Sequence, residues 1–139
     1  MTEDCLFCKI IEGEIDSHKV FETDRAFAFL DVNPVSRGHT LVIPKKHAET
    51  LTDLRASETE KLFSAVRKVS EAVEEALQPE GFNILQSNGE EAGQEIGHAH
   101  VHIIPRYEDD GFEFKFDQRS IEEQNPEELI ETLRKELSI

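Results

Sequence analysis

Apolar and polar residues alternate in short runs over the first third of the chain, and the spacing lengthens to three and four in its middle. Residues 19–22 (Lys-Val-Phe-Glu) and 25–31 (Arg-Ala-Phe-Ala-Phe-Leu-Asp) read as two strands joined by a hairpin turn at Thr23-Asp24. Asn33-Pro34 and Arg37-Gly38 punctuate a loop, and 39–44 (His-Thr-Leu-Val-Ile-Pro) predicts a third strand, apolar enough to be central. From 57 to 77 the pattern is helical: Leu62, Val66, Val69 and Val73 fall on one face. Ser57 and Glu60 have capping-box spacing, and Gln78-Pro-Glu-Gly81 stops the helix. A fourth strand is predicted over 81–87, a loop rich in Gly and Glu over 88–97, and a fifth strand over 98–104. Asn125 as cap and Pro126 in the first turn open a second helix running to about 137. Between them Phe112, Phe114 and Phe116 alternate, as in a short strand or a strap across a partner subunit.

This order, rich in hairpins and interrupted by one long helix, predicts an α+β domain with a five-stranded, mostly antiparallel sheet. At 139 residues the chain is expected to be one domain over 1–139, with 107–139 as a C-terminal extension. No apolar run approaches the ~20 residues needed to span a bilayer. Met1-Thr-Glu-Asp4 is acidic, the wrong sign for a signal peptide, so a cytoplasmic protein without membrane contact is expected. Thirty Asp and Glu against fifteen Lys and Arg give a net charge of −15, which disfavours binding to nucleic acid or anionic lipid. Such acidity fits a salt-rich cytoplasm or an ordinary acidic surface equally. An anionic substrate would need local positive groups or a bound cation to offset it.

The chemistry concentrates in His98-Ala-His100-Val-His102. On a strand these three imidazoles line one face, with Ala99, Val101 and Ile103 on the other. Such a row suits a metal site or phosphate chemistry; the plainer reading is a polar strand edge. Cys5-x2-Cys8 has zinc-ligand spacing, and equally that of a redox pair or of two buried cysteines.

Residues 98–104 resemble the signature of the histidine triad (HIT) superfamily of nucleotide hydrolases and transferases, His-φ-His-φ-His-φ-φ with φ apolar. Cys5-Leu-Phe-Cys8, Phe29-Leu-Asp31, the block from Gly38 to His47 and the block from Asn88 to Gln94 resemble other family motifs in the same order. The resemblance implies a five-stranded sheet with helices on one side, and a homodimer whose sheets join edge to edge.

It also implies roles. His100 matches the histidine that attacks the α-phosphate. A neutral imidazole nitrogen is nucleophilic near pH 7, provided its other nitrogen donates to an acceptor such as a carbonyl. His102 and the separate His39 match phosphate-contacting histidines. Asn88 and Gln94 match donors to phosphate or leaving-group oxygens, and Asp31 matches the acceptor of the ribose hydroxyls. Leu6, Phe7, Ile10 and Val32 match apolar positions around the base. The zinc-bearing branch completes the CxxC pair with two histidines, here His47 and His98, which implies a structural zinc on Cys5, Cys8, His47 and His98. His18 lies outside every matched block and is expected to be solvated. Glu95 departs from the pattern: the phosphoramidate-cleaving branch carries a hydroxyl residue there, so the leaving group is open between phosphoramidates and dinucleoside polyphosphates. Against the enzyme stand a nucleotide-binding sensor or scaffold without turnover and, more distantly, a redox CxxC protein.

Overall fold

A computed structural model describes residues 4–137; Met1, Thr2 and Glu3, and with them most of the acidic N-terminus, lie outside it. Helix α1 (Leu6–Ile11) is followed by strands β1 (Lys19–Glu22), β2 (Ala26–Leu30) and β3 (Thr40–Pro44). Helix α2 (Ala56–Leu77), strands β4 (Gly81–Gln86) and β5 (Val101–Arg106) and helix α3 (Pro126–Leu137) complete the chain. The five strands form one sheet in the order β1-β2-β3-β5-β4, every neighbouring pair antiparallel. The α+β architecture expected from the pattern is the one observed.

The sheet is buried on both faces, and the strict alternation of β2 and β3 explains how. Ala26, Ala28, Val42, Val101 and Ile103 face Leu62, Val66, Val69 and Val73 of α2 and form one core. Phe27, Phe29, Leu41 and Ile43 point the other way, against Cys5, Phe7, Cys8 and Ile10. Helices on one side only, as the resemblance implied, is therefore corrected: α1 covers the face opposite α2. The small side chains Ala26 and Ala28 let α2 approach its face closely, while the phenylalanines fill the space under the short α1.

Boundaries differ in instructive ways. Helix α2 begins at Ala56, one residue before the expected start, and Glu58 rather than Glu60 turns back to accept from the Arg55 amide at 2.8 Å. It ends with Gln78 in the left-handed conformation, where Pro79 cannot extend it. Strand β5 starts at Val101, not at residue 98, because Ala99 donates to the Ala48 carbonyl instead of to a neighbouring strand. Residues 112–116 form no strand. Phe112 and Phe114 instead pack at 5.0 Å, with the Arg106 guanidinium over the Phe112 ring at 4.5 Å.

Candidate active site

The sheet face under α1 carries the triad. Val101 and Ile103 enter the α2 core, so alternation turns His100 and His102 to the opposite face, beside Leu41 and Phe29. There they line a cavity of about 420 Å3 together with His39, Asp31 and the apolar residues Leu6, Phe7, Ile10 and Val32. Three separated segments thus converge on it. The Phe7 ring stands edge-on to His100, centroids 5.3 Å apart, and helps to fix its rotamer.

Hydrogen bonds settle which ring nitrogens carry protons. His100 Nδ1 lies 2.8 Å from the His98 carbonyl, which can only accept. Nδ1 is therefore the protonated nitrogen of the neutral ring, and Nε2 keeps its lone pair. His39 is set the opposite way. Its Nδ1 accepts from the Val35 amide at 3.1 Å, so its proton sits on Nε2. That Nε2–H is 2.9 Å from His102 Nδ1 and 3.5 Å from Asp31 Oδ2. His102 then accepts at Nδ1 and carries its own proton on Nε2. Adjacent triad histidines therefore differ: His100 offers a lone pair at Nε2, and His102 a donor at Nε2.

Burial keeps His39 and His102 neutral. It pushes His102 down to about 4, with positive charge on His100 and His39 acting in the same direction and Asp31 opposing. His39 is also lowered by burial, partly offset by Asp31. The tight approach that seats His39 depends on Gly38, whose φ is +91° and whose missing side chain leaves room for Leu77.

Three expected contacts sit differently. Both nitrogens of His39 face protein groups, so it bears on His102 rather than standing free in the cavity. Asn88 and Gln94 are not in the cavity wall. Asn88 accepts from the Leu51 amide at 2.7 Å. Gln94 accepts from the Gly89 amide and donates to the Glu49 and Ile96 carbonyls. These two amides brace the 88–97 loop, whose Gly93, Glu95 and Ile96 do reach the cavity. Sequence reasoning missed Asp16, Ser17, Asn33 and Val35, which also line it. Val35 acts through its backbone amide, which leaves no trace in residue type.

Beside the cavity, Cys5, Cys8, His47 and His98 bring four ligand atoms within 4.8 Å of one another. The test of fit is the edge lengths. Zn–N near 2.0–2.1 Å and Zn–S near 2.3 Å in a tetrahedron give N–N edges of about 3.4 Å and S–N edges of about 3.5 Å. His47 Nδ1 and His98 Nδ1 are 3.3 Å apart. The S–N distances are 3.2 Å for Cys5–His98, 3.3 Å for Cys8–His47 and 3.6 Å for Cys8–His98. His98 Nε2 donates to the Pro44 carbonyl at 2.9 Å, leaving the Nδ1 lone pair for a metal. Both cysteines are free thiols, and burial, then Cys5, pushes Cys8 up to about 12. A thiol held protonated is a poor redox group, whereas a cation would draw out its proton. The donor set fits zinc.

Residues 12–109 match the HIT domain family. The chain is 49% identical over 111 residues to the Protein hit of Bacillus subtilis, covering 79% of this chain and 77% of that one. It is 44% identical over 102 residues to an adenosine 5'-monophosphoramidase of Schizosaccharomyces pombe, covering 73% and 74%. Among solved structures, a HIT family protein from Bacillus anthracis superposes with a TM-score of 0.91 at 40% identity, over 98% of this chain and 99% of that one. A zinc-bound histidine triad family protein from Mycobacterium smegmatis superposes at 0.76 with 32% identity, over 90% and 91%.

Proposed function

The chain belongs to the histidine triad (HIT) family, and on that footing we propose that it is a nucleotide hydrolase or nucleotidyl transferase acting at the α-phosphate of adenosine-type nucleotides. The observation that carries this reading is the opposed polarity of His100 and His102 on one cavity wall. His100 Nε2 attacks phosphorus, its lone pair aimed by the bond from Nδ1 to the His98 carbonyl. The leaving group departs from the opposite side, giving a nucleotidyl-His100 intermediate that water or an acceptor resolves. His102 Nε2–H donates to phosphoryl oxygen. His39 is a positioning residue that fixes the His102 tautomer. Asp31 receives the ribose hydroxyls, and Leu6, Phe7, Ile10 and Val32 hold the base.

Zinc on Cys5, Cys8, His47 and His98 is structural in this account: it ties α1 to the triad strand and takes no part in the chemistry. The protein works as a homodimer in the cytoplasm, and among the described residues no helix is long and apolar enough to cross a membrane. Steady-state turnover on adenosine phosphoramidates and dinucleoside polyphosphates tests the enzyme reading. Tight nucleotide binding with no turnover of any of them would instead make the protein a sensor.

A further inference from the structure

Helix α1 serves two sites at once. Cys5 and Cys8 meet His98 and His47 in the Cys/His cluster, while Leu6, Phe7 and Ile10 line the cavity. The helix has only six residues, well below the ~12–15 at which an isolated helix is even marginal in water. Its N-cap is Cys5, whose sulfur accepts from the Cys8 amide at 3.3 Å. No acidic side chain stands in its first turn to help. Cap and cluster thus share one side chain, so a cation that holds the Cys5 sulfur also holds the start of α1.

Phe7 carries that constraint across to the cavity. Its buried ring stands edge-on to His98 with centroids 5.9 Å apart, to His100 at 5.3 Å and to Phe29 at 5.5 Å. One side chain therefore touches both a cluster imidazole and the proposed nucleophile. The larger core is built differently. Val42, Leu62, Val66 and Val101 close it between the sheet and α2, and none of the four cluster residues enters it. Loss of the metal should loosen α1 while the sheet and α2 stand.

We propose that zinc at the cluster and a nucleotide base in the cavity strengthen each other's binding through α1, with Phe7 as the positioning residue that links them. The inference rests on the reading that the cavity takes a nucleotide and the cluster zinc; it does not depend on turnover. A base seated against Leu6, Phe7 and Ile10 holds α1 where Cys5 and Cys8 meet the metal. Zinc in turn relieves the base of ordering α1 when it binds. Linkage makes the two effects equal in size.

The test equilibrates the zinc-loaded full chain with a chromophoric chelator of known zinc affinity, alone, with saturating AMP or with saturating ribose 5-phosphate. AMP should raise the zinc affinity about tenfold, a usual size for linked sites. Ribose 5-phosphate carries the phosphate without the base, and should raise it by no more than about twofold. Phe7→Leu keeps an apolar side chain but removes the ring; it should still hold zinc, with the AMP effect cut to about twofold. Circular dichroism should show the sheet retained after zinc is removed. An AMP effect that is absent, matched by ribose 5-phosphate or undiminished in Phe7→Leu would overturn the proposal. Wholesale unfolding without zinc would do the same, since the coupling would then belong to global folding. If Phe7→Leu fails to fold, AMP against ribose 5-phosphate in wild type decides by itself. AMP that binds in equilibrium dialysis without affecting zinc removes the coupling alone. Absence of AMP binding removes the nucleotide reading and this inference together.

Discussion

The Nδ1 nitrogen of His100 donates to the carbonyl oxygen of His98 at 2.8 Å, while the His98 ring itself sits among Cys5, Cys8 and His47. One tripeptide therefore joins the Cys/His cluster to the proposed nucleophile. The His98 side chain is fully buried, its Nε2 tied to the Pro44 carbonyl, so neither end of the residue is free to drift. Whatever holds the cluster also holds the carbonyl that aims His100.

The cluster should contain metal. Purified protein is expected to carry about one zinc per chain, as four-ligand structural sites do. Cys8→Ser should lower zinc content and melting temperature together. Elemental analysis finding no metal, with a Cys5–Cys8 disulfide as the normal state, would reject the site.

A second prediction concerns Gly38, which places His39. Gly38→Ala puts a Cβ into Leu77 at a backbone angle of +91°, a region that costs an L-residue about 1–2 kcal/mol before any clash. Chemical denaturation should show a loss of at least that size, and turnover should fall further than stability does as His39 shifts away from His102. An unchanged denaturation midpoint would show that the position accepts a side chain without strain and would reject this role for Gly38.

Much of this was legible in the chain. The apolar runs at Ala26–Leu30 and Thr40–Pro44 marked two strands, the second apolar enough to be central, and HxHxH placed three imidazoles on one face. The patterns could not show where backbone groups would go. Ala99 bonds to Ala48, which moves the start of β5 to Val101, and the Val35 amide decides the tautomer of His39. Asn88 and Gln94 were recognisable as polar loop residues. Only the fold reveals that their amides are consumed in bracing the 88–97 loop rather than facing the cavity. Likewise the alternation of Phe112, Phe114 and Phe116 mimics a strand, while neighbouring rings pack against each other and Arg106 lies over Phe112 and Phe114.

Acid should destabilise the fold through the buried pair. The folded-state value of His102, about 4, lies below that of an unfolded imidazole near 6.5, so the unfolded chain binds more protons between them. The contribution is fully present above about 6.5 and is lost as the pH falls toward 4. His39 acts in the same direction. Melting temperature should drop over that window, and His102→Gln should flatten the drop. A variant with the slope of wild type would assign the acid sensitivity to the carboxylates alone.

The proposed homodimer rests on the family resemblance, and Phe116 lies exposed on the segment that would meet a partner. Light scattering at micromolar concentration should give twice the chain mass of 15.9 kDa in low and high salt. If the acidity is an adaptation to salt, the dimer should weaken as salt is removed and the charge of −15 per chain goes unscreened. A single-chain mass at both salt levels would contradict the dimer.

The most direct test is of the nucleophile itself. Wild-type protein mixed with an adenosine 5'-phosphoramidate, quenched within milliseconds and analysed by peptide mass spectrometry, should carry one adenylyl group on His100. His100→Ala should form no adduct and lose several orders of magnitude in rate, against roughly 10²–10³ for the loss of a single donor such as His102. Nucleotide affinity in His100→Ala should stay within a few-fold of wild type. An adenylyl group mapped to another residue, or full activity in His100→Ala, would contradict the account.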